Sequence, residues 1–185
     1  MDDRSRVSGV TVGISAGLAV LLIAGVIIIS LVFGSKAREQ PAALPPPTRT
    51  GPVALVPVPA PSAGSPDCES LVRNLPATLQ SGSTVLSKAP LAEPAPPASA
   101  AWTDQRSEPV VLRCGLDRPA ELTPDTQKLR AITGVQWLPV EGENATTWYV
   151  VDRPVYVALT VPVDAGTGPL QDISTTIGKV LSRKP

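Results

Sequence analysis

The run PVVLRCGLDRP, Pro109–Pro119, decides how this chain is to be folded. Val110–Cys114 is apolar and rich in β-branched residues, and Pro109 and Gly115 bound it, so it predicts a strand. Side chains alternate along a strand, which puts Arg113 on the opposite face from Cys114. Arg113 is then free to stay wet or to meet a carboxylate. Gly115 permits a turn, or a close approach of the crosslink, right after the cysteine.

The β pattern continues toward the carboxyl end. Val135–Val140 and Thr146–Val151 predict two strands joined by a hairpin-type loop, Glu141-Gly142-Glu143-Asn144. Asp152-Arg153-Pro154 predicts another turn. Val155–Val161 then alternates cleanly, with Val155, Val157, Leu159 and Val161 on one side. After Gly166-Thr167-Gly168, Pro169 suits the first position of a helix. Leu170, Ile173, Ile177, Val180 and Leu181 follow at helical spacing, a stripe that would close one sheet face. Between these elements, Leu122–Ile132 predicts a helix, because Thr123-Pro124-Asp125 resembles a helix start.

Toward the amino end the pattern is sparser. Ala89–Ala98 is proline-rich and predicts an exposed loop. Thr84–Ser87 predicts a short strand. Cys68–Leu75 predicts a short helix capped by Asp67 and stopped at Pro76. The expected fold is α+β, a mostly antiparallel sheet of about four strands with two or three helices on one face.

Before this domain the chain changes character twice. Val10–Phe33 is a run of 24 uncharged, mostly apolar residues. As a helix it would reach about 36 Å, enough to cross a hydrocarbon core of about 30 Å. A cleaved secretory signal is the other reading, but its apolar region is shorter, and Ser35-Lys36-Ala37 is a poor cleavage site. Arg4 and Arg6 on one flank and Lys36 and Arg38 on the other nearly balance. The very short tail before the run favours a signal-anchor with the carboxyl end outside. Glu39–Pro66 then holds nine prolines. Proline fixes φ and removes donors, so this stretch predicts an extended spacer, with a protein-binding Pro-rich ligand as the alternative, for which no basic residue is set clearly beside a Pro-x-x-Pro core. The expected organisation is a cytoplasmic tail over 1–9, a transmembrane helix over 10–33, a Pro-rich linker over 34–66 and an extracytoplasmic domain over 67–185.

Composition narrows the chemistry. In 185 residues, 16 basic side chains balance 16 acidic ones, so no charge excess calls for nucleic acid. There is no histidine, which removes Ser-His and Cys-His nucleophile pairs and histidine-containing zinc sites. No cofactor and no metal is expected. Cys68 and Cys114 are the only cysteines. Outside the cytosol such a pair is most simply a disulfide, tying the first helix to the Val110–Cys114 strand. Two free thiols or a redox pair are the alternatives, and no Cys-x-x-Cys supports the latter.

The run VVLRCG, with CESLVRNLP and AAW upstream and VQWL, DR and VALTVP downstream, resembles an actinobacterial family of secreted or membrane-anchored domains of unknown function. The resemblance covers roughly Asp67–Leu181. It implies a cell-envelope location and a paired-cysteine domain, and brings no catalytic residues with it. Trp102-Thr103 stands where the family has tryptophan-glycine.

Candidate binding residues are Trp102, Trp137, Trp148 and Tyr149, with Arg113 and Arg153. The aromatic residues form either a core with cross-strand pairs, Trp137 and Trp148 across a hairpin, or a platform for a sugar or a partner protein. Glu141 and Glu143, with Asp152 and Arg153 in a neighbouring turn, read as solvated turns unless a cleft brings the carboxylates together. Gly166-Thr167-Gly168 reads as a plain loop, with an anion cradle as the sharper alternative. The function these features predict is a single-pass anchored, non-catalytic binding or scaffolding module of the cell envelope, its partner a protein or a glycan. A ligand-binding or sensory ectodomain for a glycan or small molecule is the alternative.

Overall fold

A computed structural model describes residues 49–126 and 128–184. Eight strands follow one another: β1 (Thr78–Ser81), β2 (Thr84–Ala89), β3 (Ser99–Thr103), β4 (Val110–Leu116), β5 (Arg130–Ile132), β6 (Val135–Glu141), β7 (Ala145–Val150) and β8 (Tyr156–Pro162). Helix α1 (Pro66–Arg73) precedes them and α2 (Gly168–Val180) follows. All eight strands lie in one sheet, ordered β1-β2-β3-β4-β8-β7-β6-β5, and every neighbouring pair is antiparallel. The sheet is therefore two meanders, β1–β4 and β5–β8, joined where β4 pairs with β8.

The expectation of about four strands is corrected to eight. The missed ones are β1, β3 and β5. Ala100, Ala101 and Trp102 of β3 are all buried, so its two faces show no alternation. β5 displaces the helix predicted over Leu122–Ile132. There, Thr126 Oγ1 accepts from Thr123 N at 2.7 Å and donates to Glu121 O at 3.1 Å, so the side chain closes a turn. No helix among the described residues is long and apolar enough to cross a membrane. The predicted span Val10–Phe33 lies outside the described residues.

Helices α1 and α2 pack on one face, the inner one. Cys68 and Leu71 of α1 and Leu170, Ile173 and Ile177 of α2 are buried there with Val110, Leu112, Val157 and Leu159. Burying each such large aliphatic side chain contributes about 2 kcal/mol. Ser65, not Asp67, caps α1, accepting from Cys68 N at 3.3 Å, and Pro66 takes the first helical position. Helix α2 touches β1 and also β5 and β6, elements from both ends of the strand order. Asp172 Oδ2 accepts from Gln80 N on the edge strand β1 at 2.8 Å, which satisfies an outward-pointing edge donor.

The outer face is covered without helices. Residues 49–65, which lie within the expected spacer, run as a strap held at separate points. Arg49 N donates to Gln105 O at 2.8 Å, and its side chain pairs with Glu108. Val53 forms a parallel bridge with Leu91. Ser62 N donates to Gly115 O at 3.0 Å. Gly115 sits in a bulge of β4 with φ +84°. A Cβ there would overlap the Ser62–Ala63 backbone and lie 2.6 Å from Ala63 Cα. The glycine thus admits the strap rather than the crosslink.

Candidate functional site

Cys68 and Cys114 are disulfide-bonded, with Cα atoms 5.6 Å apart, and both are fully buried. The bond joins α1 to β4, as the sequence suggested. A loop of this length is worth about 4 kcal/mol in the chain-entropy account.

The three tryptophans all face the core. Trp102 and Trp137 are fully buried. Trp102 donates its indole N–H to Pro76 O at 3.0 Å, and Trp137 donates to Ser174 Oγ of α2 at 2.9 Å. Each ring therefore has both its packing and its polar handle satisfied within the core. Trp148 is partly buried and packs against the same core. It lies opposite Pro139, while Trp137 lies opposite Val150, so the two tryptophans are diagonal neighbours and not a facing pair. Two of the residues offered as a sugar platform, Trp102 and Trp137, present no surface to a ligand.

Arg153 is also inward, 3% exposed. Its Nη1 meets Asp152 Oδ2 at 2.6 Å and its Nη2 donates to Gly134 O at 3.3 Å. Arg183 Nη2 donates to the same carbonyl at 2.9 Å, and Lys184 N donates to Asp152 O at 3.0 Å. This cluster ties the β5–β6 turn, the β7–β8 turn and the segment after α2 together. Glu141 and Glu143 lie at the opposite end of β7, so the carboxylates do not converge. The glycine turn before α2 is filled too. A Cβ on Gly168 would overlap the Gln80 carbonyl of β1, which leaves no room for an anion there.

What remains for binding is the outer face. Register places Ser99, Arg113, Ala158, Tyr149 and Leu138 in one row across β3, β4, β8, β7 and β6. The next row holds Ala101, Val111, Thr160, Thr147 and Val140, and the two threonine hydroxyls lie 3.1 Å apart. Arg113 is half-buried, and Arg113 Nη2 donates to Val56 O of the strap at 3.2 Å. Its Nε is buried with no acceptor, and it pairs with no carboxylate among the described residues. Burial pulls its pKa below the ordinary guanidinium value. Tyr149, half-buried across Ala158 from it, is pushed up by burial and by Glu121, and Arg113 partly opposes this. A hollow of about 390 Å³ beside Leu138 and Pro139 is lined by the 121–128 loop. A second, of about 310 Å³, lies between the strap at 49–54 and Thr103, Glu108 and Pro109. Of the candidates in the sequence, this face brings together Arg113 and Tyr149 only. Thr147, Thr160 and the strap were missed. Their one legible signal was the outward set of the alternating Val155–Val161 strand.

Fold and face together define a disulfide-stapled, single-sheet domain with one helix-covered side and one strapped side. The model of the family described as "Protein of unknown function (DUF3515)" matches residues 16–185. The chain belongs to that family. The match begins well before Asp67, inside the apolar run, and takes in the whole strap. No curated protein and no solved structure matches the chain.

Proposed function

We propose that the protein is a module of the cell envelope, tethered by Val10–Phe33, that binds or scaffolds another envelope component and performs no chemistry of its own. The observation that carries this is the buried Cys68–Cys114 disulfide, which joins two core elements and so suits a fold matured in an oxidising space. The uncharged run Val10–Phe33 supports the tether, and the family match beginning within that run is in keeping with it. The resemblance to anchored actinobacterial domains supports the envelope. The alternative, a reader of a glycan or small molecule, has less to draw on: Trp102 and Trp137 are spent on the core, leaving Tyr149 and Arg113.

A phosphatase reporter fused to the carboxyl end tests the placement, and activity is expected only where export succeeds. Non-reducing peptide mapping of protein from cells is expected to yield the Cys68–Cys114 linked pair. A reporter that stays inactive, with both thiols open to alkylation, would overturn the proposal.

A further inference from the structure

Between its anchors at Val53 and Ser62, the strap carries the sequence Val56-Pro57-Val58-Pro59-Ala60-Pro61. Every residue of this hexapeptide is either a proline or the residue before one. Proline fixes its own φ, and its ring forces the preceding residue out of the helical region into the extended one. Covalent sterics therefore favour an extended, polyproline-II-like form over Val56–Ala60, and at Pro61 a turn begins in which Ala60 O accepts from Ala63 N at 3.0 Å. The three X-Pro bonds here are trans, since Glu93-Pro94 is the cis bond found among the described residues.

Four consecutive residues, Val56 to Pro59, are exposed, Val56 at 76% and Val58 at 46%. The other large exposed hydrophobic residues, Val85 and Val163, stand singly and apart from this stretch. Among the described residues, no backbone N–H of Val56, Val58 or Ala60 has an intrachain partner. The fold touches the ridge at Val56 O, which accepts from Arg113 Nη2. Arg113 brings a positive charge to the ridge and pairs with no carboxylate among the described residues.

The geometry points to a prefolded proline ridge, Val56–Pro61, as a docking element for a partner protein whose groove is lined by aromatic side chains and rimmed by an acidic group. An aromatic groove accepts such a ridge because its preformed extended backbone has little conformational entropy to lose on binding. An acidic rim suits the Arg113 guanidinium, which has no carboxylate partner among the described residues. The strap's two anchors make the ridge rigid, where a free proline-rich linker would sample many shapes. The inference rests on the binding reading above and names its partner.

The test uses the full chain in its own membranes, with a photo-crosslinking residue at the exposed Ala54, beside the ridge. The expected result is an adduct to a protein, mapped by mass spectrometry to a segment containing Trp, Tyr or Phe near Asp or Glu. The double substitution Val56→Asp and Val58→Asp should lower the adduct yield about tenfold or more. Arg113→Gln should lower it less, and Val163→Asp should leave it alone. Unfolding midpoints should match the parent for the two ridge substitutions, which removes misfolding as the cause. An adduct indifferent to the ridge substitutions, one confined to lipid, glycan or a second copy, or no adduct at all, overturns the inference. The reporter fusion separates the two proposals, because an outward-facing domain with an indifferent adduct sinks the ridge alone.

Discussion

On its inner face the sheet meets α1 and α2 through a continuous set of buried aliphatic side chains, two tryptophans and a disulfide. On its outer face the described strap meets it at separated hydrogen bonds: Arg49 to Gln105, Val53 to Pro90, Val56 to Arg113, Ser62 to Gly115. Area removed from water dominates the first contact, and a few directional bonds plus the stiffness of proline hold the second. The inner face should therefore unfold only with the whole domain, while the strap can open by itself at lower cost.

Four changes break or sharpen this contrast. Cys68→Ser with Cys114→Ser removes the inner crosslink and should lower stability by about 4 kcal/mol, or roughly 15 °C in Tm, read by calorimetry. An unchanged Tm would contradict the crosslink's role. Gly115→Ala attacks the other face, because its Cβ would collide with the Ser62–Ala63 backbone at a residue held at φ +84°. It should cost about 3 kcal/mol, with amide exchange rising first at Ser62 while the α2 amides keep most of their protection. Equal loss at both would erase the distinction between the faces. Ser174→Ala leaves the Trp137 indole N–H without its acceptor in the core and should cost about 1–2 kcal/mol in a denaturant titration.

The smallest effect concerns pH at the β3–β4 loop beside the strap. Asp104 accepts from the backbone N–H groups of Ser107 and Arg106 at 2.8 and 2.9 Å, which hold its pKa below the ordinary 3.8. A depressed carboxylate stabilises the folded loop above its unfolded pKa and loses that contribution as pH falls through the folded value. Amide exchange at Arg106 and Ser107 should therefore stay slow down to about pH 4 and quicken only below it, relative to Asp104→Asn. Quickening that begins well above that pH would remove Asp104 as the cause.

The inner face was legible because it obeys periodicity. Val157, Leu159 and Val161 alternate, Leu170, Ile173, Ile177 and Leu181 recur at helical spacing, and all are buried. The cysteine pair followed from count and from the compartment expected of the chain. The elements that broke the pattern did so for particular reasons. β3 is buried on both sides, and β5 has three residues. Pro124 and Asp125 looked like a helix start, but Thr126 closes a turn around them. Arg153 gave no sign of burial, because the cluster around it joins its own turn to the distant β5–β6 turn and to the segment after α2. The strap's docking was hidden in Gly115, whose conformation records a neighbour 52 residues upstream by backbone contact alone. Of the candidate site, the sequence held Arg113 and Tyr149 but not the surface they share, since register across β4, β8 and β7 fixes that.

Helix α2 comes after every strand in chain order, yet it rests against β1 and against β5 and β6. Each meander can zip by local hairpins, but only α1 covers part of the inner face until that helix arrives. A nascent chain of this design keeps much of its inner face open until its last helix is made. A polypeptide that delays its own closure in this way sets as one body only when its last element docks.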